Sequence, residues 1–101
     1  KAHTAMNKFN FDGLEQVAEK LMGKPVYLTI DLDVLDSSVF PGTGTPEAGG
    51  VTFNELLSAM QKLRGLDIVA CDVNELSPML DASGASTAVA CKVLRELLLM
   101  L

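Results

Sequence analysis

Two stretches of this sequence place acidic residues where they could act together. Residues 27–36 read Tyr-Leu-Thr-Ile-Asp-Leu-Asp-Val-Leu-Asp, an apolar run that ends in the carboxylates of Asp31 and Asp33. Side chains of a strand alternate between its faces, so this spacing predicts Asp31 and Asp33 on one side. Carboxylates that close repel unless a proton or a cation neutralises them. Hard oxygen donors of this kind suit Mg²⁺ or Mn²⁺ rather than a thiolate metal such as structural zinc. Read alone, the pair also fits a carboxylate that merely caps a turn. A second apolar run closes in Asp72-Val73-Asn74-Glu75-Leu76-Ser77-Pro78. Asp72 reads as a carboxylate that bonds loop backbone. Glu75 lies beyond the strand, where its charge would suit a cationic substrate or, more plainly, stand as a solvated loop residue.

Between these stretches lies Pro41-Gly42-Thr43-Gly44-Thr45-Pro46-Glu47-Ala48-Gly49-Gly50. Its glycines permit close backbone approach and its prolines restrict the chain, so the loop is shaped and fairly stiff. Neither GxxxxGK[ST] nor GxGxxG occurs in the strand-to-helix setting a phosphate loop requires. His3 is the single histidine, and no catalytic or metal role is assigned to it. Cys71 and Cys91 stand apart among apolar neighbours and read as buried free thiols, with neither a CxxC pair nor a secreted disulfide framework.

The elements that must position these residues follow from periodicity. Leu14, Val17, Ala18, Leu21 and Met22 predict a helix over 12–22, with a capping box from Asp12 and Glu15 and a stop at Gly23 and Pro25. Leu56, Leu57, Met60 and Leu63 predict a second over 53–63, boxed by Thr52 and Glu55 and stopped by Gly65. A third starts near 83–86 and runs to the C-terminus, apolar on more than one face, so its end calls for a partner surface. Residues 25–31 and 66–73 read as strands buried on both faces. Helix, strand, helix, strand, helix is the alternation of an α/β protein with a parallel sheet. Two parallel strands are marginal alone, which makes residues 1–101 the expected C-terminal part of a larger α/β domain, read as one unit with its N-terminal part absent.

Composition narrows the function classes. The chain carries a net charge of -5, is 49% hydrophobic and only 5% aromatic, which describes a soluble, acidic, aliphatic unit rather than a disordered one. Its basic residues are scattered, so neither nucleic acid nor an anionic membrane is an expected partner. No stretch approaches the roughly 20 apolar residues of a membrane span, and no secretory signal is evident, so the expected location is the cytoplasm.

Taken together and in order, Asp31-Leu32-Asp33-Val34-Leu35-Asp36, Pro41-Gly42-Thr43-Gly44-Thr45-Pro46-Glu47 and Asp72-Val73-Asn74-Glu75-Leu76-Ser77-Pro78 closely resemble the ureohydrolase (arginase/agmatinase) family. The glycine-rich form of the loop is most similar to the agmatinase branch. The resemblance implies an arginase-like three-layer α/β/α fold and a binuclear Mn²⁺ cofactor. It implies hydrolysis of a small guanidino substrate, agmatine foremost, to urea and an amine, and a homo-oligomer. By position, Asp31 resembles the carboxylate that bridges both metals and Asp33 the one that binds a single metal. Glu75 resembles the acidic residue that orients the guanidinium, and Thr45 the loop residue beside the reacting carbon. The family's further ligands, a histidine motif and an Asp-Ala-His-x-Asp stretch, have no counterpart here, so the chain alone is expected to be inactive. Other guanidino hydrolases are the near alternatives. A haloacid dehalogenase-type phosphatase would also use Asp31 and Asp33, but it leaves the Gly-Thr loop and Glu75 unexplained. A structural, oligomerising role for the apolar last helix is the non-enzymatic alternative.

Overall fold

In the computed structural model, residues 10–101 are described; His3 lies outside them. The elements are helix α1 (Leu14–Leu21), strand β1 (Pro25–Asp31), a 3₁₀ turn (Leu32–Val34), helix α2 (Phe53–Lys62), strand β2 (Asp67–Asn74), a second 3₁₀ turn (Pro78–Leu80) and helix α3 (Ala85–Met100). The strands pair in parallel. Val26 lies opposite Ile68 and Tyr27 opposite Ala70, so Val69 is accommodated as a bulge, and the register then runs unbroken to Asp31 opposite Asn74.

The expected helices form, with one local difference at the start of α1. Thr52 and Glu55 make a full capping box: the Thr52 hydroxyl accepts from the Glu55 N–H at 3.1 Å, and the Glu55 carboxylate accepts from the Thr52 N–H at 3.0 Å. Asp12 and Glu15 do not. Gly13, in the left-handed region at φ 83°, stands at the N-cap of α1, while the Asp12 N–H donates to the Asn10 side chain and Glu15 pairs with Lys62 at 2.8 Å. The Glu15 carboxylate is engaged instead by Lys62 of α2. Gly23 and Gly65 end the first two helices with positive φ, as the sequence leads one to expect.

The core is built by the residues that follow β1 as much as by the helices. Leu32, Leu35, Phe40 and Val51 are buried beside Ile30 of β1, Leu56 and Met60 of α2, and Val93 and Leu97 of α3. Burial of each such side chain contributes about 2 kcal/mol. The long connection from β1 to α2 is therefore anchored at its start and end: the Asp36 N–H donates to the Val51 carbonyl at 2.9 Å and the Val51 N–H to the Val34 carbonyl at 3.0 Å. The Asp36 carboxylate accepts from both the N–H and the hydroxyl of Ser38, and from the N–H groups of Gly49 at 2.8 Å and Gly50 at 3.2 Å.

Three expectations need correction. The strands are not buried on both faces, because no element among the described residues covers the side carrying Tyr27, Thr29 and Asp31, and Tyr27 and Val69 are exposed. Helix α1 buries no residue fully; Val17 and Met22 of the expected apolar face are exposed. Cys91 is exposed and Cys71 only half-buried, since both lie at the margin of the core. The apolar excess of α3 is confirmed: Leu94, Leu98 and Leu99 face outward while Val93 and Leu97 face in. No helix among the described residues is long and apolar enough to cross a membrane.

Thr52→Ala removes the hydroxyl half of the capping box and should cost about 1 kcal/mol, read as a lowered thermal midpoint. The Asp36 carboxyl is pulled down to about 2, first by the Ser38 hydroxyl and then by the Ser38, Gly49 and Gly50 N–H groups. A carboxyl whose folded value lies below its unfolded value of about 4 adds stability at higher pH and loses it as pH falls towards 2. With chelator present throughout, Asp36→Ala should therefore lower the midpoint at pH 7 and flatten its acid dependence between pH 5 and 2.5. Identical acid profiles for the two proteins would show that this carboxylate contributes nothing.

Candidate metal and substrate site

Parallel pairing sends the carboxyl ends of β1 and β2 to one edge of the sheet, where α/β folds build their sites. Asp31 is the last residue of β1, and Glu75 follows the last residue of β2. Asp33 reaches the same place by a different route from the expected one. The chain leaves the strand at Leu32 and turns as a 3₁₀ helix, so strand alternation does not orient Asp33. Instead the turn folds it back beside Asp31, whose carboxylate accepts from the Asp33 N–H at 3.4 Å. Burial of Leu32 beneath the turn fixes this conformation.

Glu75 is brought in by a strained backbone. It is the one described non-glycine residue with positive φ, at 83°. Such a conformation costs about 1 kcal/mol or more, and persists only where the surroundings impose it. The result is a convergence of Asp31, Asp33 and Glu75, whose carboxylate oxygens all lie within 4.8 Å of one another. Thr45 completes the group: its hydroxyl donates to the second oxygen of Asp33 at 2.9 Å. All four residues singled out in the sequence are thus brought together.

The electrostatics of the cluster favour a neutralising proton or cation at Asp31. Desolvation at the sheet edge, then the hydrogen bond and charge of Asp33 and the further charge of Glu75, push the Asp31 carboxyl up to about 6. Asp31 remains solvent-accessible, so the crowding by its neighbours is the part that a bound positive charge would reverse. Carboxylate oxygens, with no sulfur or imidazole among them, form a donor set suited to a hard divalent ion. The residues present fit Mn²⁺.

Asp72 departs from expectation. Among the described residues it bonds no loop backbone; its carboxylate accepts from the Tyr27 hydroxyl, from the Thr29 hydroxyl at 2.6 Å and from the Asn74 side-chain amide. These partners, Thr29 foremost and Tyr27 next, hold it below the ordinary carboxylate range. The reason is register: Thr29 lies directly opposite Asp72 across the parallel pair, within reach on one face.

The chain is 46% identical over 99 residues to an agmatinase of Bacillus cereus, covering 93% of this chain and 34% of that protein. It is 40% identical over 88 residues to a guanidinobutyrase of Pseudomonas aeruginosa, covering 87% and 28% respectively. A solved structure of a candidate agmatinase from Clostridium difficile superimposes with a TM-score of 0.83 at 53% identity, over 89% of this chain and 33% of that one. The chain thus spans about a third of the length of the curated relatives it matches. The fold it shares with them is arginase-like, and the haloacid dehalogenase alternative is set aside. With the Arginase family model matching residues 2–100, and the acidic edge built from two parallel strands as described, the chain belongs to the arginase family.

Proposed function

We propose that these residues are the C-terminal part of a ureohydrolase domain that hydrolyses a small guanidino compound with a binuclear Mn²⁺ centre, agmatine being the first candidate substrate. The observation that carries the reading is the convergence of Asp31, Asp33 and Glu75 at one sheet edge. Family membership and the agmatinase relatives support it, while the guanidinobutyrase relative keeps 4-guanidinobutyrate as the second candidate.

In this reading Asp31 and Asp33 hold metal. The bound ions would supply Lewis acidity and acidify a water towards neutral pH. Thr45 fixes the Asp33 carboxylate by donating to one of its oxygens, which leaves the other oxygen, and the Asp31 oxygen not engaged by the Asp33 N–H, as donors. Glu75 arrives from the other strand and can accept hydrogen bonds from a planar guanidinium, whose N–H groups match a carboxylate in two-point fashion. Held there, the guanidinium carbon faces the metal-binding carboxylates in a fixed orientation, the condition under which proximity lowers a barrier most. The ligands still needed for a complete binuclear centre would come from parts of the domain outside these residues.

The roles separate experimentally in the full-length protein. Asp31→Asn or Asp33→Asn should lower bound Mn²⁺, by elemental analysis, together with urea release; full metal content with retained activity would make these carboxylates structural. Glu75→Gln keeps shape but loses charge, and should retain the manganese while turnover falls on the order of 10²-fold. Loss of manganese in that variant, or an unchanged kcat, would show that Glu75 has another role. Urea release from agmatine against 4-guanidinobutyrate assigns the substrate.

A further inference from the structure

Away from the acidic cluster, one hydrogen-bond relay centred on a buried serine joins three separate segments. Ser86, in the first turn of α3, is fully buried. Its hydroxyl accepts from the Gly42 N–H at 2.8 Å and donates to the Asp81 carboxylate at 2.6 Å. The same Asp81 oxygen accepts from the Ser86 N–H at 2.9 Å, and the other oxygen accepts from the Ser83 hydroxyl at 2.6 Å and the Ser83 N–H at 3.1 Å. Gly42 is held on its other side as well, its carbonyl accepting from the Ser77 N–H at 2.7 Å. The approach is so close that a Cβ on Gly42 would lie 2.6 Å from the Ser86 Cβ. Gly42 stands three residues before Thr45, and Ser77 two residues after Glu75.

We propose that Ser86 and Asp81 are positioning residues: they lock the Gly42 loop to the β2–α3 connection and so set Thr45 on Asp33 beside Glu75. This role rests on the ureohydrolase reading for its catalytic consequence, though not for its structural one. Neither residue reaches the acidic cluster itself. Their effect passes through the backbone of Gly42, whose N–H and carbonyl are both committed. With Ser86 cut back to alanine, the buried Gly42 N–H loses its acceptor, a state the loop can escape only by moving outward.

The test is Ser86→Ala in the full-length protein, read two ways. Amide hydrogen exchange over 42–46 should quicken at least tenfold while β1 and β2 keep their protection. Separately, kcat/KM for agmatine should fall about tenfold, and the losses from Ser86→Ala and Thr45→Val should not multiply in the double variant, since both remove one restraint on Asp33. Unchanged exchange over 42–46 overturns the lock. Faster exchange with multiplying losses overturns its action through Thr45. Should Ser86→Ala fail to fold, Asp81→Ala, which removes the acceptor of both the Ser86 hydroxyl and the Ser86 N–H, is read by the same exchange, expected to quicken over 42–46; wild-type exchange there overturns the lock. A wild-type protein that hydrolyses neither agmatine nor 4-guanidinobutyrate defeats the functional reading and leaves the exchange result to decide the lock.

Discussion

Parallel pairing of β1 with β2 governs what these residues can do chemically. Because both strands run the same way, both deliver their following residues to one edge, and the register that sets Asp31 opposite Asn74 leaves Glu75 next in line. An antiparallel pair would send the two acidic segments to opposite ends. Register matters as strictly as direction: the bulge at Val69 shifts β2 by one residue early in the ladder, and that shift brings Thr29 opposite Asp72 and Asp31 opposite Asn74.

Bringing three carboxylates within 4.8 Å of one another is unfavourable without compensation, and the surrounding structure is arranged to enforce it. Leu32 and Leu35, fully buried on either side of Asp33, commit the 3₁₀ turn to one conformation. Glu75 is held with positive φ between a strand end and a connection tied to Gly42. Local strain and like-charge crowding at a single edge, with apolar burial beneath, are the arrangement expected of a site whose opposing charge comes from a ligand.

Hydrogen bonds from short side chains do for the connections what apolar burial does for the core. Asp36 closes the base of the β1–α2 loop by gathering N–H groups from Gly49 and Gly50, and Asp81 gathers Ser83 and Ser86 at the start of α3. Both carboxylates sit below their ordinary range for this reason, Asp81 through Ser83 and then Ser86. Asp36 and Asp81 are thus stabilised as anions by neighbouring donors, whereas desolvation first, and then Asp33, disfavours the anion of Asp31.

The sequence by itself determined which elements form and which acidic residues stand at the ends of the strands. Periodicity located the three helices, an unbroken Pro25–Asp31 run located β1 to the residue, and the Thr52–Glu55 spacing located a cap that forms as expected, because each of these is decided by interactions within a few residues of chain. The motif resemblance likewise singled out Asp31, Asp33, Thr45 and Glu75. Tertiary structure decided what local spacing could not: that Glu15 pairs with Lys62 instead of capping α1, that Asp72 is satisfied across the sheet, that Asp33 is placed by a turn and not by strand alternation, and that Ser86 reaches Gly42, 44 residues away. Asp12-x-x-Glu15 and Thr52-x-x-Glu55 share a spacing but not an outcome: Gly13, with positive φ, takes the N-cap of α1, and Glu15 is engaged by a lysine of a neighbouring helix, a contact that exists only once the chain has folded.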